Sequence, residues 1–276
     1  MDTGASVVSG QTDSVGDPLE GLDENGVIRT GASIARVSEP FRRILDTTVD
    51  AIRREEPAAS VYAYGSVTTG QATSPTCDVD ILTIGLDAPA AQEIAADMST
   101  TFGVLCRSVE IAAASASEFV GDTDEVYGGR VFLHHYCVHL AGPDLDRATA
   151  GFPGDRRAAR AFNGDIARHH ARWSEDSGAG GDAVELGRRI SRKTLLAVAG
   201  LVSVHDSTWT TDRRGAACRW SDVHPRLRIG LEELAALADG TERAVPDAVD
   251  RAIDGVVALI VEQFAAEVGL WTESTI

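Results

Sequence analysis

Two aspartates placed two positions apart are the residues best suited to chemistry in this chain. Asp78 and Asp80 lie in the run Cys77-Asp-Val-Asp-Ile81. This run has the composition of a strand, so both carboxylates should project from the same face. Like charges held this close repel each other unless a divalent cation or a shared proton neutralises them. Because hard oxygen ligands select Mg²⁺ or Mn²⁺, the pair predicts a site for one of these metals.

A glycine-serine pair upstream predicts a place for phosphate beside that metal. Gly65 and Ser66 follow a short β-rich run and open the stretch Gly65-Ser-Val-Thr-Thr-Gly70. Glycine lets a phosphate approach the backbone, while Ser66 offers a hydroxyl and an N–H at an expected helix N-terminus, which is a position that binds anions. We therefore expect a triphosphate and a metal to meet in one crevice.

A third carboxylate is needed to complete two metal positions or to deprotonate an attacking hydroxyl. Glu110 is the best candidate, because it lies mid-strand between Val109 and Ile111 and should face away from these apolar neighbours. Glu118 is the alternative. If the strand of Glu110 lies beside that of Asp78 and Asp80, all three acids converge as catalytic and metal-binding residues. The predicted chemistry is in-line displacement at an α-phosphorus.

The elements that must position these residues alternate between helix and strand over residues 38 to 145. Such alternation predicts an α/β fold class for this part, with a sheet and helices. The predicted elements are a helix at Ser38–Glu56, strands at Ser60–Tyr64 and Val79–Ile84, a helix at Ala88–Phe102, and strands at Val104–Ala112 and Val131–Leu140.

Beyond Gly154 the pattern changes to helices alone, at roughly 155–174, 182–205, 225–238 and 246–269. Apolar stripes at helical spacing favour a bundle. Residues 1–30 are rich in small and polar types and should form a flexible tail. The predicted organisation is a tail at 1–30, a domain with a mixed sheet at 31–150, and an all-α helical bundle domain at 151–276.

Composition narrows the classes of partner. Among 276 residues, Asp and Glu outnumber Lys and Arg by 42 to 25, which gives a formal charge of −17. A field of that sign disfavours nucleic acid and anionic membranes and favours cations. No signal peptide or apolar run of membrane-spanning length is seen, and no Cys-x-x-Cys pair occurs, so we expect a cytoplasmic protein with free thiols.

Three histidines, His134, His135 and His139, could suggest zinc. No acid or cysteine at ligand spacing completes such a site, so they are predicted to be sheet residues. Asp182 and Glu185 could hold a cationic acceptor, although acids are also favoured in the first turn of a helix by its dipole.

The pattern Gly-Ser-x-x-x-Gly, a short loop and Asp-x-Asp resembles the signature of the polymerase-beta-type nucleotidyltransferase superfamily. A mixed half followed by a helical half is similar to the aminoglycoside nucleotidyltransferases, particularly the streptomycin/spectinomycin adenylyltransferases. Their basic-small-small-Trp segment resembles Arg213-Arg-Gly-Ala-Ala-Cys-Arg-Trp220. Cys77 departs from the family, which usually has serine before the first aspartate.

The resemblance implies that Gly65 and Ser66 bind the triphosphate, that Asp78 and Asp80 bind metal, and that Glu110 is the third acid. It also implies phosphate-binding basic residues in the helical half. Arg192, Lys193 and Arg214 are all candidates for that role, with a helix-boundary side chain lying along apolar surface as the alternative for the first two.

These observations predict an enzyme that transfers a nucleoside monophosphate, with AMP from ATP as the leading case, to a hydroxyl of a small cationic acceptor such as an aminoglycoside. The cofactor would be Mg²⁺ or Mn²⁺, with ATP or another nucleoside triphosphate as co-substrate, and the implied role is antibiotic resistance. Two alternatives stay open: a nucleotidyltransferase that modifies a protein, as in toxin–antitoxin pairs, and a non-catalytic nucleotide-binding sensor.

Overall fold

A computed structural model describes residues 16–146, 148, 150–178, 182–240 and 244–272. Its helices and strands follow in chain order as β1 Gly21–Leu22, β2 Ile28–Arg29, α1 Glu39–Glu55, β3 Ser60–Tyr64, α2 Ser66–Thr69, β4 Asp78–Ile84, α3 Ala88–Phe102, β5 Ser108–Ala114, α4 Asp124–Tyr136, β6 Val138–Ala141, α5 Arg156–Asn163, α6 Ile166–Gly178, α7 Ala183–His205, α8 Arg213–Val223, α9 Arg228–Ala238, α10 Pro246–Ala252 and α11 Ala258–Glu267.

A four-stranded mixed sheet carries the sequence motif. Its strand order is β5-β4-β3-β6. Strand β3 runs antiparallel to both β4 and β6, whereas β4 and β5 are parallel. The short stretch between β3 and β4 suits an antiparallel pair, while the parallel pair β4 and β5 needs the crossover through α3. The mixed sheet predicted from the sequence is confirmed.

One face of this sheet packs against α1 and α3. Val61 and Ala63 of β3 and Val79 and Ile81 of β4 point to this side, and α1 presents apolar residues at helical spacing to them. The fully buried members of this core include Ile44, Leu45, Ile52, Val61, Ala63, Val79 and Ile81. Burial of this apolar layer leaves the intervening side chains of β3 and β4 on the opposite face.

Helix α4 packs against that opposite face. The rings of Tyr64 and Phe132 lie edge to face, with centroids 5.1 Å apart, and Phe132 stacks on Tyr136 at 5.9 Å. Residues 131–136 were predicted to begin a strand, and that prediction is wrong, because β6 starts only at Val138. Phe132 and Tyr136 are four apart, so a helix brings both rings to one side, where Phe132 meets Tyr64.

The prediction that all three histidines are sheet residues is also wrong, because α4 extends to Tyr136. His134 and His135 lie in α4, and only His139 lies in a strand. His134 Nδ1 is 2.7 Å from a carboxylate oxygen of Asp146. The backbone N–H of Phe152 donates to His135 Nε2 at 2.8 Å.

Residues 16–30 contain the two short strands β1 and β2 and a turn, while the flexible tail at 1–30 stays a prediction. Backbone N–H groups of Asn25 and Val27 donate to the carboxylate of Asp23 and close a turn between β1 and β2. Ile28 is 2% exposed. The polar composition here therefore reflects turn-forming side chains. The rest of the predicted tail, residues 1–15, lies outside the described residues.

The chain after Pro153 is helical in the described residues, as predicted, with differences in detail. The predicted helix at 155–174 is interrupted at Gly164, where α5 ends and α6 follows. Helix α8 was not among the predicted helices. The predicted helix at 246–269 contains one π-helical turn at Ile253–Val257.

The chain divides into two compact units. One contains Arg29–Asp122 and Val126–Phe152, and the other contains Glu20–Ile28, Thr123–Glu125 and the described residues from Pro153 onward. The domain limits 31–150 and 151–276 stay a prediction, because compactness alone does not show that a segment folds independently. Among the helices described, none is both long enough and apolar enough to cross a bilayer.

Candidate active site

The two aspartates lie side by side on the α4 face of the sheet. Asp78 begins β4 and Asp80 follows two residues later, so both side chains point away from the α1 and α3 core. Each is only 1% exposed. Burial of two carboxylates is costly unless cations or hydrogen bonds compensate their charge. The predicted pairing on one face is present.

Glu110 is brought to the same place by strand register. In the parallel pair of β4 and β5, Asp78 is paired with Ser108 and Asp80 with Glu110. Paired residues in neighbouring strands point to the same face, so the three acids share one side of the sheet. Glu110 is exposed, unlike the two aspartates. The arrangement therefore combines two buried carboxylates with one that is open to solvent.

The turn after β3 abuts the second aspartate. Gly65 has φ +74° and ψ −156°, a conformation essentially restricted to glycine. A Cβ at this position would overlap Oδ2 of Asp80. Ser66 then begins α2 at the position predicted from the sequence, and α2 ends at Gly70 in the left-handed region. The glycine is thus required both for the turn and for the close approach to Asp80.

Asp78 is held by Arg107, which directly precedes β5, and by Ser108, the first residue of β5. The Arg107 guanidinium binds the Asp78 carboxylate through two hydrogen bonds. Nε donates to Oδ1 at 2.9 Å, and Nη2 donates to Oδ2. The Ser108 hydroxyl donates to Oδ1 at 2.6 Å and lies 3.4 Å from Oε1 of Glu110. Ser108 therefore bridges the first and third acids, and Arg107 neutralises the first.

The acids also affect neighbouring titratable groups. Burial raises the pKa of Tyr64 well above its usual value, and the negative charges of Asp80 and Glu110 add to that effect. Burial likewise raises the pKa of Cys77, with Asp78 and Asp80 contributing. Both groups are consequently neutral at pH 7, so the phenol and the thiol add no charge to the acidic cluster.

The donor set fits a hard divalent cation in type. Asp78 and Asp80 offer carboxylate oxygens, and the fold already holds a positive group, the Arg107 guanidinium, against Asp78. Within the described ranges, however, no three His, Cys, Asp or Glu side chains are close enough to form a metal-binding group. A cation that bound to the aspartate pair would compete with Arg107 for the carboxylate of Asp78.

Glu118, the alternative third acid, has a structural role. It closes a capping box at the 3-10 helix Ala116–Phe119, where the backbone N–H of Ser115 donates to Glu118 Oε1 at 2.6 Å. Such a box satisfies two backbone donors at a helix start. Glu110 is thus the better of the two candidates.

The basic residues proposed for phosphate binding lie in the helical unit. Lys193 Nζ is 2.8 Å from Asp165 Oδ1 and also donates to the carbonyl oxygen of Phe162 at 3.2 Å. Arg192 is its neighbour in α7, and the exposed Arg214 lies 3.5 Å from Asp239. Lys193 therefore forms an ion pair with Asp165, and this contact fits a structural role for the lysine.

Asp165 contacts both Lys193 and His169. Burial pushes its pKa upward, but the hydrogen bond from His169 and the charge of Lys193 outweigh burial and lower the pKa to about 2. Asp182, considered above as an acceptor ligand, is the N-cap of α7, where it receives the backbone N–H of Val184 at 2.9 Å. Its placement fits helix capping.

Sequence reasoning missed Arg107 and Ser108. Both directly precede the Val109-Glu110 step. The register of β4 and β5 pairs Ser108 with Asp78, and the backbone N–H of Arg107 donates to the carbonyl oxygen of Cys77. Their position three and two residues before Glu110 was the available signal. It could not be used without knowing which strands pair.

No protein-family model and no curated protein matches the chain. Among solved structures, the chain is similar to the spectinomycin adenyltransferase AAD(9) from Enterococcus faecialis, solved with ATP and spectinomycin. The match has a TM-score of 0.50 and 10% identity, and it covers 81% of this chain and 98% of that one. The resemblance predicted from the motif is thus confirmed for the fold: this chain folds like an adenyltransferase of that kind.

Proposed function

We propose that the protein transfers a nucleoside monophosphate, in the first instance AMP from ATP, to a hydroxyl of a small cationic acceptor such as an aminoglycoside. Pyrophosphate would be the second product. The proposal includes a divalent cation, Mg²⁺ or Mn²⁺, a cytoplasmic location and a role in antibiotic resistance. Its fold-level support is the similarity to a spectinomycin adenyltransferase.

The observation that carries the proposal is the juxtaposition of the Gly65 turn with the Asp80 carboxylate. The turn leaves no room for a side chain between them. A backbone turn at the start of a helix suits phosphate, and a buried carboxylate beside it suits the cation that accompanies phosphate. A sheet with a purely structural polar edge would not require this contact.

The candidate site residues each have a defined task in the proposed reaction. The acceptor oxygen forms a bond to the α-phosphorus while the bond from that phosphorus to the bridging oxygen of pyrophosphate breaks. Glu110, the exposed acid, takes the proton of the attacking hydroxyl. Gly65 and Ser66 orient the triphosphate, and Asp78 and Asp80 hold the cation. When bound, Mg²⁺ would stabilise charge on the attacking and leaving oxygens.

The basic residues of α7 and α8 belong to the proposal as candidate triphosphate contacts. Of the three, Arg214 is the most exposed, with 77% of its side chain accessible. Lys193 would have to leave Asp165 in order to bind phosphate, which makes it the weakest candidate. The net charge of −17 supports a cationic acceptor, because such a field attracts cations.

The test is transfer of label from ATP carrying a labelled α-phosphate. The protein would be incubated with Mg²⁺ and a panel of aminoglycosides, including spectinomycin and streptomycin, or with cell lysate. The proposal predicts label on a small molecule and release of pyrophosphate. Label on a protein band would instead favour the protein-modifying alternative. Absence of transfer with every triphosphate and acceptor would favour a sensor.

A further inference from the structure

The contact between Arg107 and Asp78 is the feature of the site that its proposed function leaves unexplained. The guanidinium engages both carboxylate oxygens, and Ser108 adds a third hydrogen bond. Bidentate, charge-assisted contacts are among the stronger hydrogen bonds in proteins. Asp78 thus lies in a site that is already neutralised.

The two partners differ sharply in burial. The Asp78 side chain is 2% exposed, whereas that of Arg107 is 46% exposed. The backbone of Arg107 is fixed independently, because its N–H donates to the carbonyl oxygen of Cys77 at 2.8 Å. The guanidinium therefore has solvent beside it into which it can turn while its backbone stays in place, whereas the Asp78 side chain is enclosed.

Charge balance explains why the positively charged Arg107 lies beside the three acids. Asp78, Asp80 and Glu110 lie on one face of the sheet. Asp80 is paired directly with Glu110, and Asp78 is two residues before Asp80 in the same strand. Carboxylates placed this close destabilise one another unless they are compensated. Arg107, which directly precedes the strand of Glu110, supplies that compensation, so the fold does not depend on a metal to keep the acids together.

A divalent cation bound to Asp78 would compete with the guanidinium for the same carboxylate and its negative charge. We propose that Arg107 is a displaceable counter-ion, which neutralises Asp78 until a divalent cation arrives and must then release it. This inference rests on the proposed function for the existence of the cation site. It makes Arg107 a positioning residue that sets metal affinity.

The experiment measures Mn²⁺ binding to the full chain, without nucleotide, by electron paramagnetic resonance of free Mn²⁺. Arg107→Ala removes the competing cation, so Mn²⁺ should bind roughly 3- to 10-fold more tightly than to wild type. Arg107→Lys keeps a charge but loses the bidentate contact, and its affinity should fall between the two. Arg189→Ala is the matched control, because Arg189 forms an exposed pair with Asp176 in another part of the chain.

Thermal unfolding supplies a second readout. Without metal, Arg107→Ala should have a lower Tm than wild type, since Asp78 loses its partner. Added Mn²⁺ should raise the Tm of this variant by more than it raises that of wild type. If Arg107→Ala does not fold, Arg107→Lys carries the comparison.

The outcomes separate this inference from the function. The counter-ion role would be refuted if the folded Arg107 variants bound Mn²⁺ no more tightly than wild type. The proposed function would stay intact in that case, provided that wild type binds Mn²⁺ and Asp80→Asn does not. If neither wild type nor the Arg107 variants bind Mn²⁺, the metal part of the proposed function fails together with this inference.

Discussion

Asp80 is paired with Glu110 across the parallel strands β4 and β5, so that a buried carboxylate and an exposed one share the same register. This relationship assigns different tasks to the two acids. A buried carboxylate suits a fixed cation, and an exposed one can reach the proton of an incoming hydroxyl.

Glu110→Gln should lower kcat by roughly 100-fold or more, because general-base catalysis typically contributes factors of about 10² to 10⁴. The KM for ATP should change little, since the proposed triphosphate contacts come from other residues. Steady-state pyrophosphate release measures both constants. Glu118→Gln is the control, because glutamine retains the capping contact with Ser115. An equal loss in both variants would argue against Glu110 as the base.

Gly65→Ala should destabilise the protein and reduce activity, because a Cβ overlaps Oδ2 of Asp80. Gly70→Ala is a comparison at a second glycine with φ +74°, but its ψ of 15° lies in the left-handed region and its added Cβ would meet Arg36, with contacts of 3.5 Å. The control should lose about 1 kcal/mol of stability from backbone strain alone. Chemical unfolding and ATP binding would be measured on both. Similar behaviour of the two variants would show that contact with Asp80 is unimportant.

Lys193→Met should lower the free energy of unfolding by about 3 kcal/mol, because it strands the buried charge of Asp165. Asp165→Asn combined with Lys193→Met should recover much of that loss, which a double-mutant cycle in urea would measure. Retained ATP affinity in the folded double variant would identify the lysine as structural. A selective loss of ATP affinity would support it as a phosphate ligand.

Protonation of His135 should weaken the fold in acid. Burial, with a smaller effect of His134, lowers its pKa from 6.5 to about 4. The unfolded chain therefore binds this proton more readily, and the resulting stability is fully present above pH 6.5 and is lost as pH falls toward 4. His135→Gln can still accept the N–H of Phe152 and should flatten the stability profile between these values. Urea unfolding across this range would detect the difference, and an unchanged slope would contradict the assignment.

The sequence was most informative where local signals agreed. Strand β3 has the predicted limits, Ser60–Tyr64, and the helix start at Ser66 follows from the glycine before it. Alternation along Asp78 and Asp80 correctly predicted that both lie on one face. These features depend on neighbours in sequence, so composition and spacing suffice to predict them.

Features that depend on distant partners were predicted less well. Residues 131–136 have strand-like composition, yet α4 forms there because Phe132 packs on Tyr64, which lies far away in sequence. The contact of Arg107 with Asp78 requires the parallel pairing of β4 with β5. Strand pairing is decided by tertiary packing, which local propensity does not contain.

The most direct test of the account is magnesium-dependent pyrophosphate release from ATP in the presence of an acceptor, compared between wild type and Asp80→Asn. Asp97→Asn, a change on the exposed side of α3, controls for loss of a surface charge. Removal of a carboxylate that holds the cation predicts a loss of more than about 1,000-fold in Asp80→Asn and no loss in the control. Full activity in folded Asp80→Asn protein would contradict the claim that this sheet face is the catalytic site.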